Sequence, residues 1–296
     1  MIKARKYVVK KYFEGVPKRD DFEIIEFVLP ALKDGEILVK VEWISLDPYQ
    51  RAYNRQYQLP YDQFGYQIGI VQESMDNNFP IGVRVVSHKG WFDYCIINPS
   101  IPDATGNKPY ILPDLKGLPN SLGVGAGGMH GATAYFGFLE ICKPKPGETV
   151  VVTGAAGAVG SLVGQIAKIK GCKVIGFTGS DEKVEWLEKE IGLTKLLITK
   201  PISACGSISA YNDNPTKLPK ATIIQPSIVM KQLKIEGFIV WRWGDRWPAA
   251  ISEIVDWIKS GQLKAKEHIT EGFDNLYEAL IGVMAGENIG KAVLRV

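Results

Sequence analysis

The chain has 296 residues, 46% hydrophobic and 23% charged, the makeup of a soluble globular protein with room for two domains; a disordered or fibrous chain is excluded. Lys and Arg number 35 against 32 Asp and Glu, leaving a formal charge of +3 with no basic tract, so neither a nucleic-acid nor a membrane partner is indicated. The N-terminal MIKARKYVVKKYFEG lacks the apolar core of a signal peptide, and the longest uncharged run, residues 117–139, carries seven glycines and makes a poor bilayer span. Four cysteines far apart in sequence, with no C-x-x-C pair, fit a reducing compartment, and cytoplasm is expected.

From residue 3 to about 120 the chain reads as short β-rich runs between turn residues: YVVKKYF, FEIIEFVLP, EILVKVEWISL, YQIGIVQES and GVRVVSHKGWFDYCII. From about residue 131 strands alternate with helices. The pattern predicts a strand over 148–154, a helix over 158–170, a strand over 173–177 and a helix over 181–191 capped by Ser180. Such a βαβα unit implies a parallel sheet with crossover helices. A third sheet strand is expected at 195–199, followed by a strand-like run at 203–207. LKIEGFIVWRW (233–243) reads as another strand, residues 247–259 as an amphipathic helix stopped by Gly261, 276–285 as a helix and KAVLRV as a terminal strand.

The informative stretch is VVVTGAAGAVGSLVGQIAKIKGCKVIGFTGSDEK. A buried strand runs into Gly154-x-x-Gly157-x-x-Gly160 and then a helix, so backbone N–H groups and the helix N-terminus can meet a pyrophosphate without obstruction by a Cβ. Strand, glycine turn, helix and second strand within about thirty residues is the dinucleotide-binding layout. NAD binders usually place an acid at the tip of the second strand to hold the ribose 2′-hydroxyl. Here the tip is Phe177-Thr178-Gly179-Ser180, with Lys183 one turn on, able to reach a 2′-phosphate while Ser180 donates to it. NADP(H) is therefore expected over NAD(H); a solvated helix lysine is the plain alternative for Lys183. Three histidines and four cysteines offer no ligand cluster in sequence, so no metal is expected.

SLDPYQR (45–51), GMHGATAYFGFLEIC (128–142), GAAGAVGSLVGQIAKIKGCKVIG (154–176), GSDEK (179–183), CGSISAYN (205–212), GFIVWRW (237–243) and ENIGK (287–291) together resemble the zinc-independent alkenal/one reductase family of the medium-chain dehydrogenase/reductase superfamily. The resemblance implies an α/β protein: a GroES-like β-rich catalytic domain over 1–125, a Rossmann-type doubly wound parallel sheet over 126–265, and a return to the first domain over 266–296. It implies NADPH-dependent reduction of the C=C bond of small-molecule enones and alkenals, 15-oxo-prostaglandins among them, with leukotriene B4 12-hydroxy dehydrogenation as a related activity and a homodimer as the usual assembly. Carried over by position, cofactor contacts fall on Gly154, Gly157, Ala158, Val159, Gly160, Ser180 and Lys183. They continue on Cys205, Gly206, Ser207, Ile208, Ser209, Ala210 and Tyr211, then on Phe238, Ile239, Val240 and Asn288. Tyr49 would line the substrate cleft as a catalytic residue, although an aromatic plug between the domains fits it equally. His130 stands where the family's turn has proline and reads as structural.

One departure is larger. Between the expected strands at 195–199 and 203–207 only Lys200, Pro201 and Ile202 remain, whereas a parallel crossover needs a dozen or more residues. In a sheet of order 3-2-1-4-5-6 the third and fifth strands lie about 19 Å apart. Four residue steps extend at most about 14 Å. The family's helix, central strand and second helix are missing together, along with a turn and a tyrosine that approach the nicotinamide. Either the sheet rearranges or the segment after Pro201 is no native fifth strand. A shortened, catalytically inactive form is thus an alternative to the reductase, and a quinone oxidoreductase a third reading.

Overall fold

The computed structural model describes residues 2–103, 106–193, 202–204, 230 and 235–296. The N-terminal half is built from β1 (Lys3–Val9), β2 (Phe22–Val28), β3 (Ile37–Ser45), a one-turn helix α1 (Tyr49–Ala52), β4 (Tyr61–Asp62), β5 (Gln67–Ser74), β6 (Arg84–Ser87), β7 (Tyr94–Ile97) and β8 (Tyr110–Ile111). Two of the expected runs are redrawn. YVVKKYF contributes only its first residues to β1, because pairing with β2 runs from Lys3 opposite Val28 to Val9 opposite Phe22. GVRVVSHKGWFDYCII divides into β6 and β7. Gly90 stands between them at φ 108°, and a Cβ there would sit 2.0 Å from the Gln63 carbonyl oxygen, so the break belongs to glycine.

The second half begins with α2 (Met129–Phe136) and continues with β9 (Thr149–Thr153), α3 (Ala158–Ile169), β10 (Lys173–Phe177) and α4 (Asp181–Trp186), which a π-helical turn extends over Leu187–Ile191. β9 and β10 are parallel, with Thr149 opposite Lys173, and α3 crosses between them burying Leu162, Ile166 and Ala167. The Ser180 hydroxyl accepts from the Lys183 N–H at 3.4 Å, the N-cap expected for α4. β11 (Ile202–Ala204) lies parallel to β12 (Ile235–Gly237). Among the described residues no ladder joins that pair to β9 and β10. The expected strand at 195–199 lies outside the described residues.

LKIEGFIVWRW is corrected from one strand to the short β12 followed by a 3-10 segment, Val240–Arg246. The coiling turns Val240, Trp243 and Trp247 into one apolar cluster with α2 and α5 (Trp247–Lys259), burial that an extended strand with alternating faces could not give. After α5 come β13 (Glu267–Glu271), α6 (Leu276–Ala285) and β14 (Lys291–Arg295). β14 pairs parallel with β13 and antiparallel with β3, completing a seven-stranded sheet of order β13-β14-β3-β5-β6-β8 with β7 on β3. The chain's end is thereby sewn into the N-terminal sheet. No helix among the described residues is long and apolar enough to cross a membrane.

Candidate active site

The glycine turn has a cofactor cradle's geometry. Gly154 adopts φ 61° and a Cβ there would meet no atom within 4 Å; the turn closes with Gly157 N–H donating to the Gly154 carbonyl at 2.9 Å. A Cβ on Gly160 would sit 2.3 Å from that same carbonyl oxygen. Gly160 thus lets α3 start against the turn, and Ala155 and Ala156 are buried beneath it. Ala158 and Val159 form the helix's first turn, which carries no acid. Its positive end is left for an anion, and the cradle fits a dinucleotide pyrophosphate.

Two further predicted residues converge here. The Lys183 ammonium donates to the Gly286 carbonyl, in the loop after α6 that also carries Asn288. Asn288 Nδ2 donates to the Gly290 carbonyl at 2.7 Å, and Gly290 N–H donates to the Ala156 carbonyl at 2.7 Å, a parallel bridge between Gly157 and Gly290. Asp181 and Glu182 occupy the first turn of α4, where their charge favours the helix N-terminus. Phe238, Ile239 and Val240 form a separate group. Phe238 packs against Trp243 and Val240 is buried, whereas Ile239 is 64% exposed at an open groove lined by Gly237, Phe238, Ile239, Trp241 and Arg242. Cys205 to Tyr211 lie outside the described residues.

A buried charge cluster that sequence reasoning missed joins the loop after β3 to α2 and β14. The Asp47 carboxylate, 1% exposed, accepts from Ser45 Oγ, from His130 Nε2 at 2.6 Å and from Lys291 Nζ at 3.1 Å. The Lys291 ammonium also donates to the Leu46 and Ala292 carbonyls at 2.8 and 2.7 Å, so all three of its protons are directed. Burial alone would raise the Asp47 carboxyl. Lys291 and His130, with their hydrogen bonds and that of Ser45, outweigh it and hold the group below the usual carboxylate range. Burial pushes both His130 and Lys291 down, against the pull of Asp47. His130 is not a turn residue but sits in the first turn of α2, tying that helix to the loop after β3. The signal was present: Asp47, His130 and Lys291 each lie in a family-like segment, but more than 80 positions separate any two of them and only folding joins them.

Two residues after Asp47, Tyr49 is placed in an aromatic wall. Its hydroxyl lies 3.1 Å from His88 Nε2, and its ring stacks on Phe64. His88 packs on Tyr66 with ring centres 4.8 Å apart, and Tyr66 reaches Trp241 at 6.0 Å. The wall runs from the charge cluster to the groove. Burial, followed by the nearby Asp47 charge, raises the Tyr49 hydroxyl well above its ordinary value.

A β-rich unit sewn to a strand, glycine turn and helix unit is the fold of the medium-chain dehydrogenase/reductase oxidoreductases. A domain family described as the N-terminal domain of oxidoreductase matches residues 5–102. Prostaglandin reductase 1 of Bos taurus is 38% identical, with 100% of each chain covered, and the NADP(+)-dependent 2-alkenal reductase of Nicotiana tabacum is 31% identical over 100% of this chain and 98% of its own. The crystal structure of CurA in complex with NADPH from Vibrio vulnificus superposes with a TM-score of 0.86 at 28% identity, covering 99% of both chains. The chain belongs to the prostaglandin reductase 1 family. Its alignment with the bovine protein runs over 339 positions, 43 more than the chain's 296 residues.

Proposed function

We propose that this chain uses NADPH to reduce the C=C bond of α,β-unsaturated ketones and aldehydes. The carrying observation is the convergence of the glycine turn, Lys183 and the loop bearing Asn288 on one cradle. When bound, NADPH supplies a hydride for the β-carbon of the substrate. The chain's own residues do the rest. N–H groups of the first turn of α3 receive the pyrophosphate, Lys183 and the Ser180 hydroxyl receive the 2′-phosphate, and Tyr49, Phe64, Tyr66 and Trp241 keep water from the reacting carbons. Residues 1–125 with 266–296 are read as the catalytic domain and 126–265 as the cofactor domain, which the pairing of β14 with β3 supports. A cytoplasmic homodimer is part of the same reading.

The test is consumption of NADPH by the purified chain with an alkenal, an enone and a 15-oxo-prostaglandin; a folded protein that leaves all three unreduced sinks the proposal. Leukotriene B4 with NADP+ tests the 12-hydroxy dehydrogenation on the same sample. That no ladder joins the two strand pairs among the described residues favours one second reading, a non-catalytic shortened form. A thermal midpoint indifferent to NADPH would favour it, since a ligand that binds the folded state raises that midpoint by mass action. Within the reductase reading, Lys183→Ala is expected to weaken NADPH binding by about tenfold, one charge-assisted contact to phosphate, and to leave NADH binding unchanged. Equal losses for both cofactors in a fluorescence titration would show that Lys183 does not read the 2′-phosphate.

A further inference from the structure

Where the family's turn has proline, this chain adds a titratable ring to the buried charge cluster. His130 is 7% exposed, and its two nitrogens are treated unequally. Nε2 lies 2.6 Å from Asp47 Oδ1, whereas Nδ1 is buried with no hydrogen-bond partner. Burial, the largest influence, and Lys291 oppose a second proton on the ring, while Asp47 and the Val124 backbone favour it; burial prevails. At neutral pH the imidazole is therefore uncharged, with its one proton on Nε2 donated to the carboxylate. Lys291 Nζ lies 3.1 Å from the same Asp47 oxygen, so one acceptor atom serves both donors. Asp47 in the loop after β3 and Lys291 on β14 are the charged groups that act on the ring, Glu267 on β13 acts on Lys291 in turn, and α2 itself, MHGATAYF, has no charged residue. Glu267 is the other group to weigh: burial raises its carboxyl, Oε2 accepts from Ser121 Oγ at 2.6 Å, and Oε1 is buried without a partner.

Two routes lead from this ring to the glycine turn. Lys291 follows Gly290, whose N–H donates to the Ala156 carbonyl at 2.7 Å. A Cβ on Gly290 would stand 2.1 Å from the Lys266 carbonyl oxygen, so residue 290 is wedged between the turn and Lys266. The second route is apolar: Ala134 of α2 and Phe138 just beyond it share a buried cluster with Leu162 and Ile166 of α3, the helix that starts at the turn. A second proton on His130 disturbs the first route directly. Two cations then compete for one carboxylate oxygen, and Lys291 falls back on the Leu46 and Ala292 carbonyls, which carry no balancing charge.

We propose that His130 is a positioning residue for the cofactor cradle: with a neutral ring it leaves Lys291 and Gly290 set against the glycine turn, and with a protonated ring it loosens them, so that NADP(H) affinity falls in acid. The inference rests on the cofactor half of the reductase reading and does not depend on enone turnover. Coupling of this kind is reciprocal, so bound cofactor weakens the ring's hold on its second proton by the same factor. A proline at this position could supply no such linkage.

The experiment uses the full chain and NADP+, which survives acid, with His130→Gln, His130→Pro and Glu267→Gln. Gln keeps an N–H toward Asp47 without a titrating ring. Pro restores the family's residue in the first turn of a helix, where a missing N–H costs no helical hydrogen bond. Calorimetry follows the dissociation constant from roughly pH 7.5 to pH 5, where histidine titrates, and circular dichroism restricts the comparison to folded protein. The ligand's 2′-phosphate titrates in the same range, so variants are compared with wild type at each pH. The wild-type dissociation constant is expected to rise at least about fivefold more than that of either His130 variant, with Glu267→Gln following wild type. The His130 ring nitrogen resonances give a readout apart from affinity: saturation with NADP+ should lower their titration midpoint by about 0.7 pH unit, the same fivefold seen from the ring. Parallel pH curves for wild type and both His130 variants, within about twofold, overturn the inference and leave the cofactor reading standing. Loss of the pH dependence in Glu267→Gln assigns the proton to Glu267 and overturns the part given to His130. No NADP+ binding by the folded wild type at any pH overturns the cofactor reading and the inference with it.

Discussion

Asp47→Ala is expected to destabilise the protein by about 3–5 kcal/mol, the cost of leaving a buried ammonium without its counter-ion. Lys291 is 4% exposed, and two of its three hydrogen bonds go to carbonyls that cannot balance its charge. The damage would be broad because the cluster ties three elements together: Asp47 follows β3, His130 opens α2 and Lys291 opens β14. Denaturant unfolding measures it, and a loss below about 1 kcal/mol would show that the cluster contributes little. The pH dependence has a definite sign. The Asp47 carboxyl is held below its ordinary value, so its contribution is complete above the unfolded carboxylate range near about 4 and is lost as pH falls through the lowered value. The deficit of the variant should therefore be full at neutral pH and narrow only in acid. His130, held low by burial, adds a second effect in the wild type: the unfolded chain takes up that proton first, so stability declines as pH falls from about 6.5.

Gly160→Val is expected to abolish measurable NADPH binding while the β-rich half stays folded. A Cβ at 160 would stand 2.3 Å from the Gly154 carbonyl oxygen and 3.0 Å from the Ala155 Cα, both in backbone that has no flexible end to move aside. The turn must open, and the N–H groups that receive the pyrophosphate leave their places. Each charge-assisted hydrogen bond lost is worth about 1.5–3 kcal/mol, so losing two costs roughly two orders of magnitude or more in affinity. Gly154→Ala meets no atom, and its penalty is the left-handed backbone alone, about 1–2 kcal/mol. Fluorescence titration with NADPH separates the variants. Equal affinity in wild type and Gly160→Val would mean that the cofactor does not enter this turn.

Local sequence signals carried much of the fold. β10, α5 and α6 fall on the residues that periodicity assigned, and Ser180 caps α4, because apolar spacing, capping chemistry and stop glycines act within one turn of the chain. The run at 233–243 was misassigned because its aromatic and β-branched residues satisfy a strand pattern, while burial of Val240 and Trp243 against two helices favours coiling. The glycine turn was legible for a similar reason: its function needs backbone freedom at three closely spaced positions, and glycine records that directly. Lys183 was legible as a residue type at a strand tip. Its partner, the Gly286 carbonyl, was not, since 103 residues separate them.

By itself the sequence determined the strand, glycine turn and helix that define a dinucleotide cradle and the expectation of NADP(H); it also pointed to a shortening after Lys200, and the alignment with the bovine relative is 43 positions longer than the chain. The tertiary structure alone decided that Asp47, His130 and Lys291 form one charge cluster, that Tyr49 meets His88, and that β14 closes the N-terminal sheet. The physical reason is range. Turns, caps and periodic faces are set by neighbours a few residues apart, whereas a buried charge cluster exists only when folding removes water and brings distant side chains within hydrogen-bond reach.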